Sequence, residues 1–161
     1  MDQLEARNYL RAKRGRIPAT LIVLGAGFCL LCGLIGQSFG EAVLEINAGR
    51  GGQPIELKQL PTRGKITVVD FFSPYCPPCL RLAPLLEQLA QKRSDLMIKK
   101  VNIQRPEVSG RIDWKSPLAQ QIQLHSIPHL MIFNQRGELE TQGLEAMKQV
   151  IKWLKETGLL K

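Results

Sequence analysis

Apolar positions in this chain fall into three patterns, and each marks a different kind of element. Between Ile17 and Gly40 no residue is charged, and Leu21 to Gly36 is almost wholly apolar. About twenty such residues, rising about 1.5 Å each, suffice to cross a bilayer as a helix. Ile66 to Phe72 is a shorter run bounded by Gly64-Lys65 and Ser73-Pro74, the mark of a central strand covered on both faces. From Pro77 to about Arg93, Leu82, Leu85, Leu86 and Leu89 recur at helical spacing. Pro84 interrupts the hydrogen bonding of this helix and predicts a kink. A last helix, from about Leu144 to Thr157, turns Leu144, Met147, Val150, Ile151 and Leu154 to the sheet and stops at Gly158.

The remaining pattern supplies strands. Leu96 to Ile103 follows the first helix, so strand, helix and strand predict a right-handed parallel crossover. Leu130–Phe133 and Leu139–Gln142 flank Asn134-Gln-Arg-Gly137, a hairpin turn. Ala42–Ile46 and Pro54–Leu57 flank a Gly-rich stretch and predict a leading hairpin. The long connection from Gln104 to Gln121 contains a helix start, Ser116-Pro117, and Trp114, expected to cover a core edge.

Charge changes the picture at the N-terminus. Residues 1–16 carry five Lys/Arg against two acids, whereas the remaining excess is spread over residues 41–161. A basic flank ahead of an uncharged span stays in the cytoplasm, which predicts a retained signal anchor at 17–40 and an external, periplasmic domain. Ser38-Phe39-Gly40 also offers small residues for cleavage; anchoring is the preferred reading. Cys29 and Cys32 lie inside the span and read as small packing residues. No Lys/Arg run exceeds two residues and no aromatic ladder accompanies the basic positions, so no nucleic acid partner is expected. The predicted organisation is a basic N-terminus at 1–16, a transmembrane segment at 17–40, a hairpin at 41–64 and an α/β domain at 65–161.

Chemistry concentrates at Tyr75-Cys-Pro-Pro-Cys79, where the first strand runs into the first helix. With Pro77 in the first turn, Cys76 lies at the helix N-terminus and Cys79 one turn in. Residues at i and i+3 share a face at a Cα separation a disulfide tolerates, so the pair can open and close in place. Free amides and the positive end of the helix favour thiolate at Cys76, the expected nucleophile; Cys79 is the expected resolving thiol. Pro77 removes an N–H that a glycine would offer, favouring a more reducing pair, while Arg81 adds positive charge nearby. A lone C-x-x-C is also half a metal site, and Cys76, Cys79, His125 and His129 match a zinc or copper ligand count. Such a site would close off thiols expected at an exposed helix end, so no metal is expected; a metallochaperone using Cys76, Cys79 and His129 is kept as an alternative.

The motifs Asp70-Phe71, Tyr75-Cys-Pro-Pro-Cys79, Ala83-Pro84, Lys100-Val-Asn-Ile103 and Ser126-Ile127-Pro128 resemble the thioredoxin family at matching spacings over residues 64 to 160. Pro77-Pro78 departs from thioredoxin's Gly-Pro, and Tyr75 replaces its Trp. The resemblance implies the thioredoxin fold, a central mixed β-sheet flanked by helices, preceded here by the transmembrane helix and leading hairpin. It implies that Pro128 is the family's cis-proline facing Cys76, and that the backbone beside Ile127 and Pro128, with Tyr75, meets a bound substrate chain. It also implies that Asp70 lies beneath the cysteines and takes the proton of Cys79, with Lys100 close by; the alternative is an Asp70–Lys100 pair that only fixes packing. The tether and the leading segment resemble membrane-anchored TlpA/ResA-like proteins. The expected function is a thiol-disulfide oxidoreductase, most simply a reductase, acting on protein substrates with a redox partner protein and no cofactor beyond its own Cys76–Cys79 disulfide. A DsbA-like oxidase or isomerase is the alternative within the same chemistry.

Overall fold

A computed structural model describes residues 42–161. The anchor expected at 17–40, with Cys29 and Cys32, lies outside the described residues. Among those described, no helix is long and apolar enough to cross a membrane.

In chain order the elements are β1 (Val43–Glu45), a 3-10 turn at Leu57–Gln59, β2 (Ile66–Phe72), α1 (Pro77–Lys92), β3 (Leu96–Asn102), α2 (Pro117–Gln121), β4 (His129–Phe133), β5 (Leu139–Gln142) and α3 (Gly143–Glu156). The five strands form one mixed sheet in the order β1-β3-β2-β4-β5. β2 and β3 are parallel, joined by the α1 crossover, while β4 runs antiparallel to both β2 and β5. Alternation along the strands divides the core. Val68, Ile98, Leu130 and Ile132 pack under α1 and α3 with Leu86, Leu89, Val150 and Leu154. Val69, Phe71, Val101, Met131 and Phe133 pack on the other face with Leu60 and Leu118.

α1 continues through Pro84. α2 begins as its sequence predicts, with Ser116 Oγ accepting the Ala119 N–H at 3.1 Å. The turn between β4 and β5 is held by Asn134, whose Oδ1 accepts from Arg136 and Glu138 N–H.

Three expectations are corrected. The leading hairpin is absent: β1 pairs in parallel with β3, and residues 54–57 form no strand. The Gly-rich stretch instead lays the chain against the end of β3. The Gly52 N–H donates to the Asn102 carbonyl at 2.9 Å, and at its φ of +74° a Cβ would meet Arg105 at 2.5 Å. On α3 the buried residues are Ala146, Val150 and Leu154, while Leu144 and Ile151 are exposed. A stripe at strict i, i+4 spacing through the small Ala146 sets the helix on the sheet, leaving Leu144 and Ile151 off that line. Trp114 is exposed rather than a cover for the core.

Candidate active site

β2 ends at Phe72 and α1 begins at Pro77, so the loop between them projects from the C-terminal end of a central strand. Cys76 caps α1 in an extended conformation, and its Sγ accepts the Cys79 N–H at 3.2 Å. Pro77 and Pro78 fill the first two helical positions, where an N–H would have no partner within the helix. The two cysteines are disulfide-bonded with Cα atoms 5.3 Å apart. Both are only 1% exposed, which corrects the expectation of thiols on an exposed helix end. Pro74, Tyr75, Pro77 and Pro78 take the solvent around them.

On the opposite side of the disulfide, the Ile127 carbonyl oxygen lies 3.7 Å from Cys76 Sγ. The Ile127–Pro128 peptide is cis, and His129 directly after it opens β4. Tyr75 is 40% exposed. Backbone from Ile127 and the rim formed by Tyr75 and the prolines therefore border the same sulfur.

Asp70 is fully buried in β2, on the sheet face covered by α1. Neither carboxyl oxygen has a hydrogen-bond partner among the described residues. Burial pushes its carboxyl up from 3.8 to about 7, against the pull of the Lys100 charge. Lys100 is its register neighbour on β3, yet the ammonium lies 3.6 Å from Glu87 Oε1 and over the Phe72 ring. The expected alternative, a packing ion pair between Asp70 and Lys100, is not formed, because the long side chain reaches a half-exposed carboxylate instead of entering the core.

Arg81 is exposed on the second turn of α1 and pairs with no carboxylate among the described residues. The set Cys76, Cys79 and His129 does not assemble as a metal centre: no three His, Cys, Asp or Glu side chains converge among the described residues. The His129 ring packs edge-on against Phe71, 6.1 Å between centroids, and burial pushes its imidazole below the usual range.

Two polar residues beside the cysteines were not singled out from the sequence. Ser73 is fully buried and Gln104 nearly so, and the Ser73 hydroxyl donates to Gln104 Oε1 at 2.8 Å. Ser73 directly follows β2 and Gln104 lies two residues past β3, both beyond the carboxyl ends of neighbouring parallel strands, where sites of α/β folds gather; that position is the signal that could have found them. An open groove of about 230 Å³ lies between the Gln104 segment and the loop, bordered by Gly49, Pro74, Tyr75, Pro106 and Val108.

Residues 57–156 match the family model described as Thioredoxin. A thioredoxin-like protein of Fusarium culmorum is 33% identical over 96 residues, covering 58% of this chain and 72% of that protein. Thioredoxin-2 of Saccharomyces cerevisiae is 33% identical over 93 residues, 58% of this chain and 80% of that one. A thioredoxin of Chlamydia caviae is 33% identical over 92 residues, 56% of this chain and 81% of that one.

Proposed function

The chain belongs to the thioredoxin family and is a thiol-disulfide oxidoreductase, and from that premise we propose that it reduces protein disulfides outside the cytoplasm, held to the membrane by residues 17–40. The observation that carries the direction is the helix start. With proline at both first positions, the Cys79 N–H at 3.2 Å is the first helical amide able to reach Cys76 Sγ. Fewer donors to the thiolate mean a less stabilised reduced form and a more reducing pair. The uncharged span behind a basic flank supports the location, and together these features suit a TlpA/ResA-like protein.

In the proposed cycle the Cys76 thiolate attacks one sulfur of a substrate disulfide, and the other substrate sulfur leaves as a thiolate. Cys79 then loses its proton to Asp70, directly or through water, and its thiolate attacks Cys76 Sγ in the mixed disulfide. The second substrate thiolate departs, two electrons have passed to the substrate, and the Cys76–Cys79 disulfide remains. A redox partner protein returns two electrons for the next turn. Ile127 and Pro128 backbone and the Tyr75 rim receive the substrate chain, while Pro77, Pro78, Arg81 and Lys100 tune the pair. No cofactor or metal is required.

Two measurements test this. Cys76→Ser should abolish exchange, and Cys79→Ser should accumulate mixed disulfides with partners; trapping only in the Cys76 variant would reverse the roles. Equilibration with thiol buffers should place the pair nearer the roughly −270 mV of thioredoxin than the roughly −120 mV of DsbA. A value at the DsbA end would make the protein an oxidase.

A further inference from the structure

Outside the cysteine pair, buried polar side chains gather around Gln104, where three segments meet. Its Oε1 accepts from Ser73 Oγ at 2.8 Å and from the Asp113 N–H at 3.2 Å. Its Nε2 donates to the Val108 carbonyl, and its backbone N–H donates to Asn102 Oδ1 at 2.9 Å. The Asp113 carboxylate, 4% exposed, is gripped by the Arg105 guanidinium at 2.6 and 3.1 Å. From Gln104 the chain of bonds runs toward the disulfide. The Ser73 hydroxyl also accepts the Tyr75 N–H at 3.2 Å, and the Ser73 carbonyl accepts the Cys76 N–H at 3.1 Å.

We infer that Gln104, acting through Ser73, is a positioning residue for Cys76, and that it couples the segment Arg105–Asp113 to the reactivity of that thiol. The inference rests on the reading of Cys76 as the attacking group. The helix start offers the Cys76 sulfur the Cys79 N–H and no N–H from Pro77 or Pro78, so thiolate stabilisation depends closely on where Sγ sits. The turn from Ser73 to Cys76 sets that place. By accepting the hydrogen bond of the Ser73 hydroxyl, Gln104 Oε1 leaves the hydroxyl lone pairs aimed at the Tyr75 N–H. Without that acceptor a fully buried hydroxyl is unpaired and rotates toward another partner. The turn then loses a restraint. Any change in the Arg105–Asp113 segment that moves Gln104 has the same effect.

The test compares Ser73→Ala, Gln104→Met and the double variant, with Thr67→Val as a control. Thr67 Oγ1 accepts the Thr62 N–H at 2.8 Å, so the control removes another buried hydroxyl at the far end of β2. Reduced protein is alkylated with iodoacetamide across pH, and the modified cysteine is identified by mass spectrometry. Below the thiol's midpoint, both single variants should react about two- to tenfold more slowly than wild type, the range of one hydrogen bond. The rates should converge at high pH, where the thiol is fully ionised in every variant. The double variant should be no slower than the slower single one, because both act through one bond, and the control should follow wild type. If Cys76 is labelled with the same pH profile in all variants, the positioning role is overturned even where melting temperatures fall. If wild type is labelled at Cys79, the assignment of the attacking thiol fails and the inference falls with it.

Discussion

The Asp70 carboxyl sits between Lys100 and Leu130 in the sheet register, with no hydrogen-bond partner for either oxygen among the described residues. Desolvation outweighs the lysine's attraction and raises it from 3.8 to about 7. The consequence for stability has a definite sign. Well below its ordinary value of 3.8 the group is protonated in folded and unfolded chains alike and adds no pH-dependent cost. As pH rises toward 7 the unfolded chain ionises while the folded one holds its proton, so stability falls through this window. Above it the penalty levels off at on the order of 4 kcal/mol, from the shift of 3.8 to about 7. Asp70→Asn has no such titration. Its stability relative to wild type should climb between pH 4 and 7 and then level, as read by urea denaturation of the oxidised protein; a difference independent of pH would contradict it. The same variant should resolve mixed disulfides more slowly near neutral pH. Coinciding rates across roughly pH 6 to 9, which spans perturbed carboxyl and ordinary thiol titrations, would rule out a proton-transfer role.

Among the elements, α3 shows how tertiary packing chooses between candidate faces. Leu144 and Leu154 belong to the same apolar pattern, but Leu154 is fully buried with Val150 against the sheet and Leu144 is 69% exposed. Leu154→Ala should therefore cost about 2–5 kcal/mol through lost burial and a cavity. Leu144→Ser should change stability by no more than about 0.5 kcal/mol. Similar losses for both in thermal denaturation would mean that the helix is seated as its apolar pattern alone suggests. The Gly-rich stretch before β2 carries the same lesson. Gly51 and Gly52 serve close approach to Asn102–Arg105 rather than a hairpin, since β1 finds its partner in β3.

For the whole molecule, the proposed arrangement places residues 1–16 in the cytoplasm and the thioredoxin domain outside. Its basis is the five Lys/Arg against two acids ahead of an uncharged span. Protease added to spheroplasts should remove the domain while the N-terminus stays protected. Protection of the domain until detergent is added would place it in the cytoplasm, where the same disulfide exchange would serve other substrates.

Sequence by itself determined the strand-helix-strand frame, the hairpin at Asn134–Gly137, the α2 cap at Ser116 and the cysteine pair at a helix start. Each of these rests on spacing within a few residues: alternation, helical period, capping chemistry or the i, i+3 reach of two sulfurs. Only the tertiary structure decided the parallel pairing of β1 with β3, the face of α3, the burial of both cysteines and the isolation of Asp70 from the Lys100 ammonium. It alone joined Ser73 to Gln104, thirty-one residues apart. These features depend on contacts between segments distant in sequence, where burial and competition among partners set the outcome: β1 has one partner in space, and Lys100 reaches Glu87 because a charge at the surface keeps its water while one beside Asp70 would lose it.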